Sequence, residues 1–141
     1  MTLIAQQQAP FASRADDSGT HAKELSLWEA AGIKPSGSWY IETGQGMGET
    51  LTIASQKQAY TLSDRGTFLA TGNLQSKIEF QGSADLQNPT DVIVVDHGGT
   101  TNVACAEEFS QWIRSGPVQQ SIAHFGVEKY GQPLFFPDAR S

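Results

Sequence analysis

Arg14-Ala15-Asp16-Asp17-Ser18-Gly19-Thr20-His21 brings a guanidinium, two hydroxyls and bare backbone N–H groups to one point of the chain. The run follows Ala9 to Ser13, which reads as a short strand, and opens a segment with helical spacing. The first N–H groups of a helix have no partner inside it, and the aligned peptide dipoles leave partial positive charge there. Gly19 removes a side chain that would keep a ligand off the backbone. An anion with several oxygens suits such a corner. A plainer reading fits the same residues: Ser18 or Asp17 caps the helix and Arg14 pairs with a nearby acid. The octapeptide leaves both open.

The elements that must position this corner follow from periodicity. A helix is expected from Ser18 to Ala31, with Ala22, Leu25, Trp28 and Ala31 as its inward stripe and Gly32 at its stop. Lys34-Pro35-Ser36-Gly37-Ser38 is a turn by composition. A second helix is expected over Met47 to Gln58, with Met47, Leu51, Ala54 and Gln58 aligned. Tyr60 to Leu62 reads as a brief strand, after which Ser63 caps a short helix through Ala70. Lys77 to Phe80 is expected to be another strand. The β-branched run Asp91-Val92-Ile93-Val94-Val95-Asp96 is the best strand in the chain, with the continuous apolar character of a parallel sheet. Two helices follow, one carrying Cys105, Phe109, Trp112, Ile113 and Gly116, the other Val118, Ile122 and Phe125, with Gly126 as its stop.

Other chemistry is weakly represented. His21, His97 and His124 are scattered, without the spacing of a metal site. There is no Gly-x-Ser-x-Gly elbow, and Cys105, the single cysteine, has no flanking signature of a nucleophile and reads as a small core residue. Asp16-Asp17 as an acid–base pair is less natural than as caps. Gly98-Gly99-Thr100-Thr101 after a strand could hold phosphate, but it lacks the full glycine fingerprint and a Walker lysine. Asp64-Arg65 reads as a helix start with a local ion pair. Gln45-Gly46-Met47-Gly48 either brings N–H groups to the cleft or makes a tight turn.

At 141 residues the chain has the size of one domain, with an ordinary 38% hydrophobic content. A net charge of −6 argues against nucleic acid, though not against a small anion bound by local donors. No apolar run approaches the ~20 residues of a membrane span, and Met1 to Pro10 lacks the pattern of a signal peptide.

The order and spacing of several runs carry a resemblance. Arg14-x-Asp16-x-Ser18-Gly19-Thr20, Trp28-Glu29-Ala30-Ala31-Gly32-Ile33, Gly44-Gln45-Gly46-Met47-Gly48, Tyr60-Thr61-Leu62-Ser63-Asp64-Arg65-Gly66 and Gly131-Gln132-Pro133-Leu134-Phe135-Phe136-Pro137 closely resemble the tungstate-binding proteins that serve ABC transporters. The first run is shared with phosphate-binding relatives; Gly44 to Gly48 and Tyr60 to Gly66 select the tungstate branch. The resemblance implies an α/β chain, one lobe of a type II periplasmic-binding-protein-like fold with a small mixed sheet flanked by helices and a C-terminal helical pair. It divides the chain into an oxyanion-binding lobe over 1–90 and, over 91–141, the return strand and C-terminal helices of the other lobe. It gives Arg14 the compensating charge, Ser18 and Thr20 the hydroxyls, and Gly19 and Thr20 the backbone N–H groups. Asp16 orients Arg14, since tungstate carries no proton at neutral pH for it to accept. The implied role is oxyanion binding for an ABC transporter permease, without catalysis or cofactor, in the periplasm or outside the cell.

Members of that family begin with a lobe whose Thr/Ser-rich loop forms the opposite wall of the site, and this sequence starts after it. It reads as a fragment or as a natural half-protein, which would be cytoplasmic if complete. Phe109, Trp112, Ile113, Ile122 and Phe125 are then expected to be exposed and to drive homo-oligomerisation, with Gly82 to Thr90 as a hinge for tail exchange. A half-protein that acts as an oligomeric interaction module without binding oxyanion is the alternative.

Overall fold

The computed structural model describes residues 1–99 and 101–139. The chain divides into two compact units, Met1–Gln87 and Asn88–Ser141.

The first unit is built around one short strand, β1 (Phe11–Ser13), whose three residues are all buried. It is the middle strand of a three-stranded sheet ordered β2-β1-β3, with β2 at Tyr40–Glu42 and β3 at Tyr60–Thr61. Both pairings are parallel, with Phe11 opposite Tyr40 on one side and Tyr60 on the other. The expected mixed sheet is therefore a parallel one. Each connection runs through a helix, α2 (Gly19–Ala30) and then α3 (Met47–Lys57), which returns the chain to the same end of the sheet. Two α-helices carry no periodic signal in the sequence: α1 (Thr2–Gln7), in the Gln-rich start, and α7, described below. Nor does β2, its three residues giving too short a pattern to read.

The core lies wholly between residues 11 and 54. Phe11, Ala12, Trp28, Met47, Leu51 and Ala54 are its apolar members. Trp28 meets Phe11 edge-on at 5.2 Å between ring centroids and Trp39 at 5.8 Å. The inward face of α2 differs from the expected stripe: Glu24 and Trp28 are buried, while Leu25 is 44% exposed. Glu24 and Trp28 lie four apart and share one face; a buried carboxylate shifts the inward face away from the one its apolar residues describe. Gly32 ends α2 as expected, at φ 68, with Gly32 N–H donating to Glu29 and Ile33 N–H to Trp28 in a Schellman arrangement. In α3 the face Met47, Thr50, Leu51 and Ala54 is buried; Gln58 is not part of it, being the left-handed cap at φ 51.

After β3, which stops one residue short of Leu62, comes α4 (Arg65–Ala70). Its cap is Asp64, whose carboxylate accepts from Thr67 N–H at 2.7 Å, rather than Ser63, which donates instead to the Asp64 carbonyl. Lys77–Phe80 and Asp91–Asp96 do not form strands. Ile93 and Phe80 are 77% and 72% exposed. Strand propensity is realised only where a neighbour supplies the ladder, and among the described residues only β1, β2 and β3 pair.

In the second unit, α5 (Val103–Ile113) is capped by Asn102 and α6 (Gly116–His124) carries Pro117 in its first turn. A single turn, α7 (Val127–Tyr130), follows Gly126. Cys105 is exposed, not a core residue, because the face it shares with Phe109 and Trp112 is itself exposed. Phe125 is exposed too, as expected, while Ile113 and Ile122 are half-buried. Thr100 of the Gly98–Thr101 turn and the last two positions, 140 and 141, lie outside the described residues.

Candidate functional site

β1 ends at Ser13 and α2 begins at Gly19, so the junction read from the sequence forms as residues 14–18 at the carboxyl end of the central strand. Two residues of this connection hold left-handed backbone without being glycine, Ala15 at φ 48 and Asp17 at φ 58. Such conformations cost about 1–3 kcal/mol each and persist only where surrounding contacts impose them. Here the contacts are identifiable. Ser13 Oγ accepts Ala15 N–H, and His21 Nδ1 accepts Asp17 N–H at 3.1 Å.

Arg14, Asp16 and Ser18 come together. Arg14 Nη2 lies 2.5 Å from Asp16 Oδ2, with both side chains about four-fifths buried. Asp16 Oδ1 accepts the Ser18 hydroxyl at 2.6 Å and Ser18 N–H at 3.2 Å. The Ser18 hydroxyl, the Ser18 N–H and Arg14 hold the Asp16 carboxyl below the usual 3.8. Ser18 Oγ also accepts His21 N–H, so Ser18 is the cap of α2 and its single proton is directed at Asp16. Asp17 does not cap; its side chain is fully exposed.

Several donors at this corner have no acceptor among the described residues. Arg14 Nε is buried without a partner. The N–H groups of Gly19 and Thr20, first and second in α2, are the orphan donors of the helix start. Nothing in the fold demands glycine at 19. Its φ is not positive, and a Cβ built there would meet nothing within 4 Å.

A second helix start stands beside the first. Thr43, just past β2, donates through both N–H and Oγ1 to the Ser13 carbonyl, each at 2.9 Å. Its hydroxyl meets that of buried Thr50 at 2.8 Å, and Thr50 reaches back to the Gln45 carbonyl. These bonds tie Gln45-Gly46-Met47-Gly48 and the start of α3 to the end of β1. β1 is also where the strand order reverses, its outgoing connection leading to β2 while β3 lies on its other side. In open parallel sheets, ligands settle outside the carboxyl ends of the strands at such a point.

Beneath the corner lies a group the sequence reading missed. Glu24 is 2% exposed and accepts Ser13 Oγ, Trp28 Nε1 and Tyr40 OH at 2.6, 2.9 and 2.8 Å. Burial pushes the pKa of the Tyr40 hydroxyl up to about 12, reinforced by its bond to Glu24 and the charge there. The available signal was Glu24 four residues before Trp28, whose indole N–H needs an acceptor when buried. Among the described residues no group of three His, Cys, Asp or Glu side chains gathers as a metal site would require.

A helix-flanked parallel sheet with open helix starts at its carboxyl end defines a class, and comparison with known proteins gives it a family. The PBP superfamily domain matches residues 2–116, and the chain belongs to that superfamily. It is 45% identical over 139 residues to the tungstate-binding protein TupA of Peptoclostridium acidaminophilum, covering 96% of this chain and 49% of that protein. Among solved structures, the tungstate-binding protein TupA of Desulfovibrio alaskensis G20 is 35% identical with a TM-score of 0.73, covering 97% of this chain and 58% of that one. The tungstate ABC transporter structure from Geobacter sulfurreducens is 33% identical with a TM-score of 0.70, covering 88% and 54%. The chain spans about half the length of the curated relatives it matches.

Proposed function

We propose that this chain binds a tetrahedral oxyanion of the tungstate and molybdate class as the solute-binding component, or part of it, of an ABC transporter, and performs no chemistry on it. The observation that carries this reading is the set of donors without acceptors gathered at one corner: Arg14 Nε and the N–H groups of Gly19 and Thr20. A dianion offers only acceptors, so it is matched by donors that no protein group already occupies. Arg14 and Asp16 nearly cancel in formal charge, so the oriented N–H groups and the dipole of α2 carry much of the attraction. Ser18 joins once its proton turns from Asp16 to the ligand, Thr20 adds its hydroxyl, and Asp16 holds Arg14 in place.

Within this reading, residues 1–90 act as the oxyanion lobe and 91–141 contribute the return segment and helices of the other lobe. The partner is a transporter permease, and the setting is periplasmic or extracellular. No helix among the described residues is long and apolar enough to cross a membrane. Exposed Phe109, Trp112 and Phe125 favour self-association of this chain when it is alone.

Titration calorimetry with tungstate, molybdate, sulfate and phosphate tests the proposal. Saturable binding of tungstate and molybdate, weaker for the other two, is the expected result. Heats of dilution alone for all four would leave the interaction-module alternative.

A further inference from the structure

Glu24 is buried against three uncharged donors. A carboxylate taken out of water here is costly, and replacing such groups by apolar residues is often neutral or better for stability. What a carboxylate does that no neutral side chain can is accept on two oxygens without donating, which fixes the direction of every donor it meets. That direction matters at Ser13. Its hydroxyl has one proton, and with that proton given to Glu24 Oε2 the lone pairs face Ala15 N–H at 3.3 Å. Ala15 is the first left-handed residue of the corner, set between Arg14 and Asp16.

We propose that Glu24 is a positioning residue for the anion corner: by orienting the Ser13 hydroxyl it holds Ala15 in its left-handed turn and so aims Arg14 and Asp16 at the start of α2. This rests on the oxyanion-binding reading above for its effect on ligand, and on the fold alone for its effect on Ala15.

Glu24→Gln keeps the size of the side chain; Trp28 Nε1 can only donate, so the amide oxygen stays with it and the NH2 donor faces Ser13. Tungstate affinity by calorimetry is expected to fall about tenfold or more, the usual scale for losing a group that orients a ligand-binding residue. Hydrogen exchange at the Ala15 amide, read without ligand, is expected to accelerate. Ser13→Ala gives the same two losses, and the double variant is no worse than the larger single one, because both act through one hydrogen bond. Tyr40→Phe removes a donor from Oε1 but leaves both Ser13 contacts in place, so its affinity stays within about twofold. Unchanged affinity in folded Glu24→Gln, additive losses in the double variant, or an equal loss in Tyr40→Phe each overturn the proposal. Should Glu24→Gln fail to fold, Ala15 exchange in Ser13→Ala decides alone, with an unchanged rate counting against the proposal. If the unaltered chain takes up none of the four anions, the oxyanion reading fails, while Ala15 exchange still decides whether Glu24 positions the turn.

Discussion

At the scale of single residues, the proposed oxyanion site makes a binding prediction at Arg14 and the hydrogen bonds of Asp16 make a stability prediction. Arg14 is four-fifths buried with Nε unpaired, yet it sits in a loop outside the core. Arg14→Ala is therefore expected to leave the fold nearly intact and to weaken oxyanion binding by ~2–5 kcal/mol, the scale for truncating one partner of a buried charge pair. Calorimetry on a variant with an unaltered circular dichroism spectrum checks this; full affinity there would place the site elsewhere. Asp16 makes a pH prediction. Its folded-state pKa lies below 3.8, first through the Ser18 hydroxyl and then through Ser18 N–H and Arg14. A depressed acid stabilises the fold above its unfolded pKa, and that contribution is lost as pH falls through the folded value. Chemical denaturation of the native chain is expected to show a loss of stability below about pH 4 that Asp16→Asn lacks. Parallel acid limbs in the two proteins would assign the loss to other carboxyls. The contacts among Arg14, Asp16 and Ser18 and the start of α2 at Gly19 were legible because they are contiguous in sequence. Glu24 was not, because Ser13 and Tyr40 reach it from 11 and 16 residues away.

At the scale of elements, the signals that act locally were the readable ones. The start and stop of α2 depend on a serine and a glycine within one turn of each end, and both stand where expected. The phase of α2 depends on what faces it, and there the apolar stripe misled: Leu25 is exposed and Glu24 buried. Asp91–Asp96 failed for the same reason in stronger form, since a β-branched run specifies extended backbone but not the neighbour that would pair with it. The α4 cap offers a direct test of local reasoning. Asp64 accepts Thr67 N–H, whereas Ser63 Oγ points back to the Asp64 carbonyl. Asp64→Ala is expected to cost about 1 kcal/mol of unfolding free energy by denaturant titration, and Ser63→Ala clearly less. The opposite ranking would return the cap to Ser63.

At the scale of the molecule, burial is distributed unevenly. Among the described residues every buried one lies between Phe11 and Ala54, and none beyond 87 is buried. The second unit folds by local means instead: the Asn102 cap on Cys105 N–H, the left-handed Gly126, and Leu134 N–H bonded to the Phe125 carbonyl. Phe109 and Trp112, with ring centroids 5.6 Å apart, stay more than half exposed, as does Phe125. Leaving a large apolar side chain wet forgoes on the order of 1.5–3 kcal/mol relative to burying it. Three such residues exceed what caps and turns contribute to a short helix, so this unit gains more from a cover than from any internal adjustment. A two-fold pairing of copies is the simplest cover for a chain studied alone, because one surface then serves both sides. The isolated chain is expected to elute as a dimer or larger species in size exclusion coupled to light scattering. Phe109→Ser with Trp112→Ser should shift it toward a single-chain mass without altering α2 or the anion corner. A single-chain mass for the unsubstituted protein at micromolar concentration, with no binding of an apolar dye, would show that this surface needs no second copy.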